Sequence, residues 1–301
     1  MKNILSQLSN HKKATAIICV IVIILCITGI YFTTRSSSKY STSVSNGNST
    51  AIKANDITIT KDDIYYYLLE NYGSNQVIND ALNYICDKEI TDQKAIDKKV
   101  NETKESYESY SKQSLADYIK SIGYTGTEDQ YIKEMIEPDA KQQLLKEKYV
   151  EANFNKLVKQ YKVKYLKIIT VDTESQALKL IKSCTNEDNF NQIMSDNNGS
   201  DAGLVTTKSS TIDKNIIKKL DSFTKDGIYK KAIKTSDSKY AIIWTYNTNK
   251  KEKKSEIKEA LTNISDLSTK ANAYYFKKYN FDVYETQLKD EIKKESKDYF
   301  G

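Results

Sequence analysis

One histidine, one proline, one tryptophan and four cysteines in 301 residues leave little material for several kinds of chemistry. The histidine is His11, so no imidazole is available further along as a metal ligand or general base. The cysteines stand far apart. Cys19 and Cys26 lie in an apolar run near the start, and Cys86 and Cys184 sit on apolar helical faces. Buried free thiols are the plain reading of the second pair, with a disulfide between them as the alternative. No zinc or haem spacing occurs, so no metal and no cofactor is expected. Arg35 is the only arginine, which removes the guanidinium fork from the body of the chain. The net charge of +6 is also misleading: Lys2, Lys12, Lys13, Arg35 and Lys39 stand in a segment without acids, leaving 41 bases against 40 acids beyond it. A nearly neutral body is not that of a nucleic-acid binder, with a local lysine patch as the only route to one.

What is present begins with a short basic tail, residues 1–13, and an uncharged apolar run from Ala14 to Phe32. At 1.5 Å per residue the run approaches the roughly 30 Å of a bilayer core. It is predicted to be an uncleaved membrane anchor over residues 14–33, with the lysines ahead of it holding the amino terminus in the cytoplasm and the body outside. A cleaved signal peptide is the alternative, although no small-residue cleavage site follows. A lipid anchor is another, but Ile18 and Leu25 precede the cysteines where a small residue is needed. Residues 34–50 are rich in Ser, Thr and Asn and read as a flexible tether.

From Ala51 the pattern becomes that of a folded protein long enough for two cores. Two short strands turn at Asn55-Asp56, and Thr60 to Asp63 has capping-box spacing at a helix start. That helix is expected to bury Ile64, Leu68, Leu69 and Tyr72 and to stop at Gly73. A second apolar helix carries Val77 to Cys86, and Thr91 to Lys112 reads as a solvated helix. Ser114 to Ile122, with Gly123 as its stop, and Thr127 to about Gln160 complete a helical region over residues 51–161, with a kink or boundary at Pro138.

Residues 162–247 change character. Val163 to Thr170 alternates as a strand does, Thr173 to Ser183 and the stretch around Phe190 have helical spacing, and Gly199 to Val205 is a glycine-punctuated loop. A third helix over Asp213 to Leu220 precedes two strands, Ile228 to Ile233 and Tyr240 to Tyr246. The order is that of a small α+β domain. Residues 248–301 are helical again, with Ile257, Leu261, Ile264 and Leu267 in one stripe.

The central stretch resembles a parvulin-type peptidyl-prolyl isomerase domain. Tyr165-Leu166-Lys167-Ile168-Ile169 corresponds to the family's Ala-Ser-His-Ile-Leu, Gly199 to Val205 to its Gly-Gly-Asp-Leu-Gly-Phe-Phe, and Lys239 to Thr245 to its Gly-Tyr-His-Ile-Ile-Lys-Val. Both family histidines are therefore replaced, by Lys167 and Ala241. The family's loop Cys or Asp is matched equally by Asp196, Asn197 or Asp201. Ile212, Ile216 and Ile217 fall near the Met and Phe of its proline-gripping cleft, and Tyr240 is a further candidate contact, though all four equally serve as packing. On both sides the chain resembles the PrsA foldases and SurA-type periplasmic chaperones. Ala54 to Asp63 is similar to their opening Val-Asn-Gly-Xaa-Xaa-Ile-Thr-Lys-Asp-Glu, Leu144 to Lys148 to a later Leu-Leu-Xaa-Glu-Lys, and Phe276 to Tyr284 to the closing segment that returns to the amino-terminal lobe.

The resemblance implies an α+β architecture: a membrane anchor, a mostly helical SurA-like chaperone lobe completed by the carboxy-terminal helices, and a central parvulin-like domain. The function it implies is that of a membrane-anchored extracytoplasmic chaperone in a Gram-positive-type cell. Such a chaperone holds unfolded secreted polypeptides in an apolar cradle between the helical lobe and the central domain, and dimerisation through the helical lobes is compatible with it. Lysine is donor-only and alanine has no polar group, so isomerase activity is expected to be lost. The alternatives are an active isomerase using Asp201 or Asp196, and a cell-envelope scaffold with the parvulin-like domain as a docking module.

Overall fold

The computed structural model describes residues 40–300. The anchor at Ala14 to Phe32, the tail before it, His11, Cys19 and Cys26 lie outside the described residues, within which no helix is long and apolar enough to cross a membrane. The fold is α+β and divides into two compact units, one taking the described residues up to Ile85 together with those from Asn272 on, the other Cys86–Ala271.

The first unit opens with a hairpin, β1 (Thr50–Ala54) and β2 (Ile57–Thr60), turned at Asn55, whose φ is +49°. Thr60 caps α1 (Lys61–Leu68) in a reciprocal capping box with Asp63, as the spacing predicts. Gly73 does not end the helix. The chain widens into a π turn over Leu69–Gly73 and continues as α2 (Ser74–Glu89). A Cβ at Gly73 would come within 2.7 Å of Leu288 Cδ2, so the residue is glycine because α13 (Thr286–Glu295) crosses there. The expected burial fails at three of its four positions along α1 and the π turn: Ile64, Leu68 and Tyr72 are 37, 49 and 58% exposed, while Leu69 is half-buried. The core is drawn instead from Ile78, Leu82 and Ile85 of α2 and from Phe276, Leu288 and Ile292. Phe276 stacks on Phe281 at 4.3 Å and meets Tyr299 edge-on at 5.0 Å.

The tether expectation is corrected where it meets the described residues. Tyr40 is buried, stacks on Tyr66 at 6.0 Å and donates to Glu291, while Ser41 donates to Glu285 from both its backbone and its hydroxyl. A turn then returns Gly47 and Ser49 to the start of α1 through Asp62 N–H and Lys61 N–H. Local composition marks the segment as polar, but its hydroxyls and one tyrosine find partners far along the chain.

The second unit begins with helices α3 (Gln93–Ser111), α4 (Leu115–Ser121), α5 (Glu128–Tyr131), α6 (Glu137–Ala152) and α7 (Phe154–Gln160). Pro138 has no N–H to give, and a π turn over Ile132–Ile136 precedes it, so α5 and α6 run on through the proline with a change of pitch. Cys86 and Cys184 are both buried free thiols, and burial pushes the Cys86 pKa up to about 12.

The central sheet follows: β3 (Lys164–Val171), α8 (Glu174–Ser183), α9 (Glu187–Asp196), β4 (Ser200–Val205), α10 (Lys214–Ile217), β5 (Gly227–Ile228), β6 (Ile233–Lys234) and β7 (Tyr240–Tyr246). All pairings are antiparallel, in the order β4-β3-β7-β5, with β6 also on β7. Two expectations change here. The glycine-punctuated loop is an edge strand, kept in the ladder by a register shift beside Leu166 and by Gly203 at φ +60°. The expected strand Ile228 to Ile233 pairs only at its two ends, because the exposed Lys230 and Lys231 bow out of the ladder. Helices α11 (Lys254–Thr262) and α12 (Leu267–Lys278) close the unit, the latter running on past Ala271.

Candidate functional site

Strand alternation gives the central sheet two faces with separate cores. On one, Leu166, Ala241 and Ile243 pack with Val205, Ile216, Leu220 and Phe223. On the other, Ile169, Ile242 and Trp244 pack with Ala177, Ile181 and Phe190 of α8 and α9. The first face carries a cleft of about 660 Å³, lined by Ile168 and Thr170 of β3, Ser200 and Ala202 of β4, Ile212 to Lys214 and Ile216 at the start of α10, and Thr235 to Asp237 before β7.

The residues singled out in the sequence separate in the structure. Ile212 and Ile216 both line the cleft, and Ile217 packs on the core beneath it. Tyr240 packs on the opposite face, beside the Trp244 cluster. Asp201 does not face the cleft: its Oδ1 accepts from the Tyr246 hydroxyl at 2.7 Å and from Gly203 N–H at 2.9 Å. Asp196 is exposed at the end of α9 and accepts from Gln192.

The two positions matched to the family histidines do not meet. In the β3–β7 register Lys167 stands opposite Trp244, while Ala241 stands opposite Thr170. The difference of three positions puts them on opposite faces. Lys167 is 8% exposed, and its Nζ donates to Glu187 Oε1 and to Asn191 Oδ1, both at 2.7 Å, below the sheet from the cleft. Ala241 is fully buried in the core under the cleft and offers it no polar atom.

The acids that do line the cleft are Asp213 and Asp237, which sequence reasoning passed over. Asp213 caps α10 through Asn215 N–H and accepts from the backbone and hydroxyl of Ser236. Burial pushes its carboxyl up, but the Ser236 and α10 hydrogen bonds outweigh burial and leave it below the usual carboxylate range. The Thr235 hydroxyl holds Asp237 low in the same sense. Asp followed by a short helix is a cap signature, and that signal was present at Asp213. Both carboxyls are engaged in holding the rim, and the rest of the cleft wall offers hydroxyl and apolar surface together with Lys214. Among the described residues no group of three or more His, Cys, Asp or Glu side chains could hold a metal ion.

The cleft thus lies between β3, α10 and the segment before β7, and none of the residues lining it is a histidine. No protein-family model matches the chain, and a search of curated proteins finds no match. Among solved structures it is similar to PrsA foldases and SurA-like chaperones. The peptidylprolyl isomerase PrsA of Bacillus cereus aligns with 83% of this chain and 99% of its own, at 17% identity and a TM-score of 0.48. PrsA of Bacillus subtilis covers 81% of this chain and 98% of its own, at 23% identity and 0.39. For the pair of SurA-like chaperones PEB4 and Cj1289 of Campylobacter jejuni, the alignment covers 78% of this chain and 99% of the other, at 18% identity and 0.24. These are the proteins that the motifs in the sequence resemble.

Proposed function

We propose that the protein is a membrane-tethered extracytoplasmic chaperone that holds unfolded polypeptides, and that its parvulin-like cleft binds extended chain without isomerising it. The observation that carries the reading is the row Ile64, Leu68 and Tyr72, spaced four apart across α1 and the π turn that continues it, each more than one-third exposed. Bare apolar side chains at such spacing suit weak contact with many sequences. Loss of isomerisation is supported by the direction of Lys167 and the bare methyl of Ala241. Prolyl rotation has a barrier of about 20 kcal/mol, and lowering it requires groups that hold a twisted imide.

The test is made on the full chain in lipid nanodiscs, with aggregation of a denatured client and isomerisation of Xaa-Pro peptides measured in parallel. Suppressed aggregation with isomerisation left at its uncatalysed ~10–100 s is the expected result. The triple variant Ile64→Lys/Leu68→Lys/Tyr72→Lys should lose several-fold in suppression. Unchanged suppression would remove the row from the function. A dimer that dissociates in the variant would assign the row to self-association instead. Accelerated isomerisation, abolished by Asp201→Asn or Asp196→Asn, would restore the enzyme reading, and recovery of one fixed partner by crosslinking would favour a scaffold.

A further inference from the structure

A second concavity, of about 520 Å³, lies in the second unit where the end of α6 and the start of α7 meet the segment that leads into α11. Its walls carry Lys156, Lys250, Lys251 and Lys254, with Phe154 and Asn155, and its one acid is Glu151. That acid is already engaged: it accepts from Lys254 at 2.6 Å and also from Lys258. The two ammonium groups hold its pKa down to about 2, so it stays ionised and shared. Among the described residues Lys156, Lys250 and Lys251 have no ion-pair partner within 4 Å. Lys250 is half-buried, reaching the Asn247 carbonyl at 3.4 Å and the face of Tyr165 at 5.6 Å. Burial and the neighbouring charge of Lys164 outweigh the attraction of Asp226 and lower its pKa. Glu151, shared by two lysines, and Asp226, which acts on Lys250 from beside Thr248, are outnumbered by the four lysines of the pocket wall. The amino end of α11 opens beside it with no side-chain cap, adding uncovered N–H groups of the same sign.

We propose that this pocket binds an acidic peptide segment, a run of Asp and Glu side chains. Lysines act as point charges and suit carboxylates presented at several positions. Asn155 offers a donor and an acceptor together, the pair a peptide bond can satisfy, whereas a phosphate oxygen uses only the donor. Phe154 and the lysine stems supply apolar floor for the chain between its charges. The inference deepens the chaperone reading by naming a class of segment that the protein holds, but it is measured separately. Binding of a fluorescent Glu/Asp-rich peptide to the full chain in nanodiscs is followed by anisotropy, against its Gln/Asn counterpart and with inorganic phosphate and polyphosphate as competitors. The acidic peptide should bind at least tenfold tighter than the neutral one and weaken several-fold between 50 and 300 mM salt. The variant Lys156→Gln/Lys250→Gln/Lys251→Gln should lose that preference, with an unchanged circular dichroism spectrum and melting temperature. Equal affinity for both peptides, or an unaffected triple variant, would overturn the proposal, as would polyphosphate binding tighter than the peptide. Should acidic binding survive while client aggregation goes unsuppressed, the chaperone reading fails and the site stands. The reverse result sinks the site alone.

Discussion

At the scale of single residues, the face a side chain occupies decides more than its identity. Lys167 and Ala241 stand where the resembled family has histidines, yet pairing of Lys167 with Trp244 and of Ala241 with Thr170 separates them by the thickness of the sheet. Restoring both, as Lys167→His/Ala241→His, should therefore gain no prolyl isomerase activity in a peptide assay. The imidazole at the fully buried position 241 should instead cost stability, about 1–3 kcal/mol by overpacking, read from urea denaturation. Asp213 supplies a second prediction. Its folded pKa lies below that of the unfolded chain, so its contribution is complete above about pH 4 and fades as pH falls through the depressed folded value. Asp213→Asn should lower stability by roughly 1 kcal/mol at neutral pH, with the difference from wild type closing towards acid. A constant difference between pH 7 and 2 would show that the carboxylate charge plays no part.

Elements show which signals are local. The capping box at Thr60 is legible because it is made within four residues, and the structure adds two more of the same span at Thr127 and Thr173, which the sequence marks only as helix starts. Strand β4 was not legible, because a stretch with glycine at Gly199 and Gly203 alternates poorly and becomes a strand only through its ladder with β3. Gly73 was legible as a special position but not as the right one: a helix stop and a helix crossing both call for glycine. The crossing makes a prediction. Gly73→Val should destabilise the first unit by about 1–3 kcal/mol, and Leu288→Ala in the same chain should recover part of that loss, since the cost is a clash with one side chain. A strictly additive double-mutant cycle would refute the crossing as the cause.

For the whole molecule, the first unit joins the two ends of the described chain. Tyr40, Ile78 and Leu82 come from one end, and Phe276, Leu288 and Ile292 from the other. Truncation after Ala271 should therefore strip hydrogen-exchange protection from residues 57–85 while β3 and β7 keep theirs. Protection retained in α2 would mean that the amino-terminal elements fold without their distant partners. The exposed row along α1 and its π turn belongs to this scale as well. Periodicity announced an apolar face at Ile64, Leu68 and Tyr72, but which face of a helix is covered depends on the elements that arrive there, and these arrive at α2 instead.

The amino-acid sequence by itself determined the α+β class, several helix starts such as Thr60 and Thr173, the alternation of β3 and β7 and the want of any imidazole in the body, because each is written in composition or in contacts a few residues apart. Tertiary structure alone decided that Lys167 turns away from the cleft, that Asp213 and Asp237 form its rim, that residues 40–49 are packed, and that four lysines gather around one already shared carboxylate. The physical reason is the same in each case. Strand register, helix crossings and the convergence of like charges are set by partners tens to hundreds of residues away, and no local pattern encodes which partner arrives.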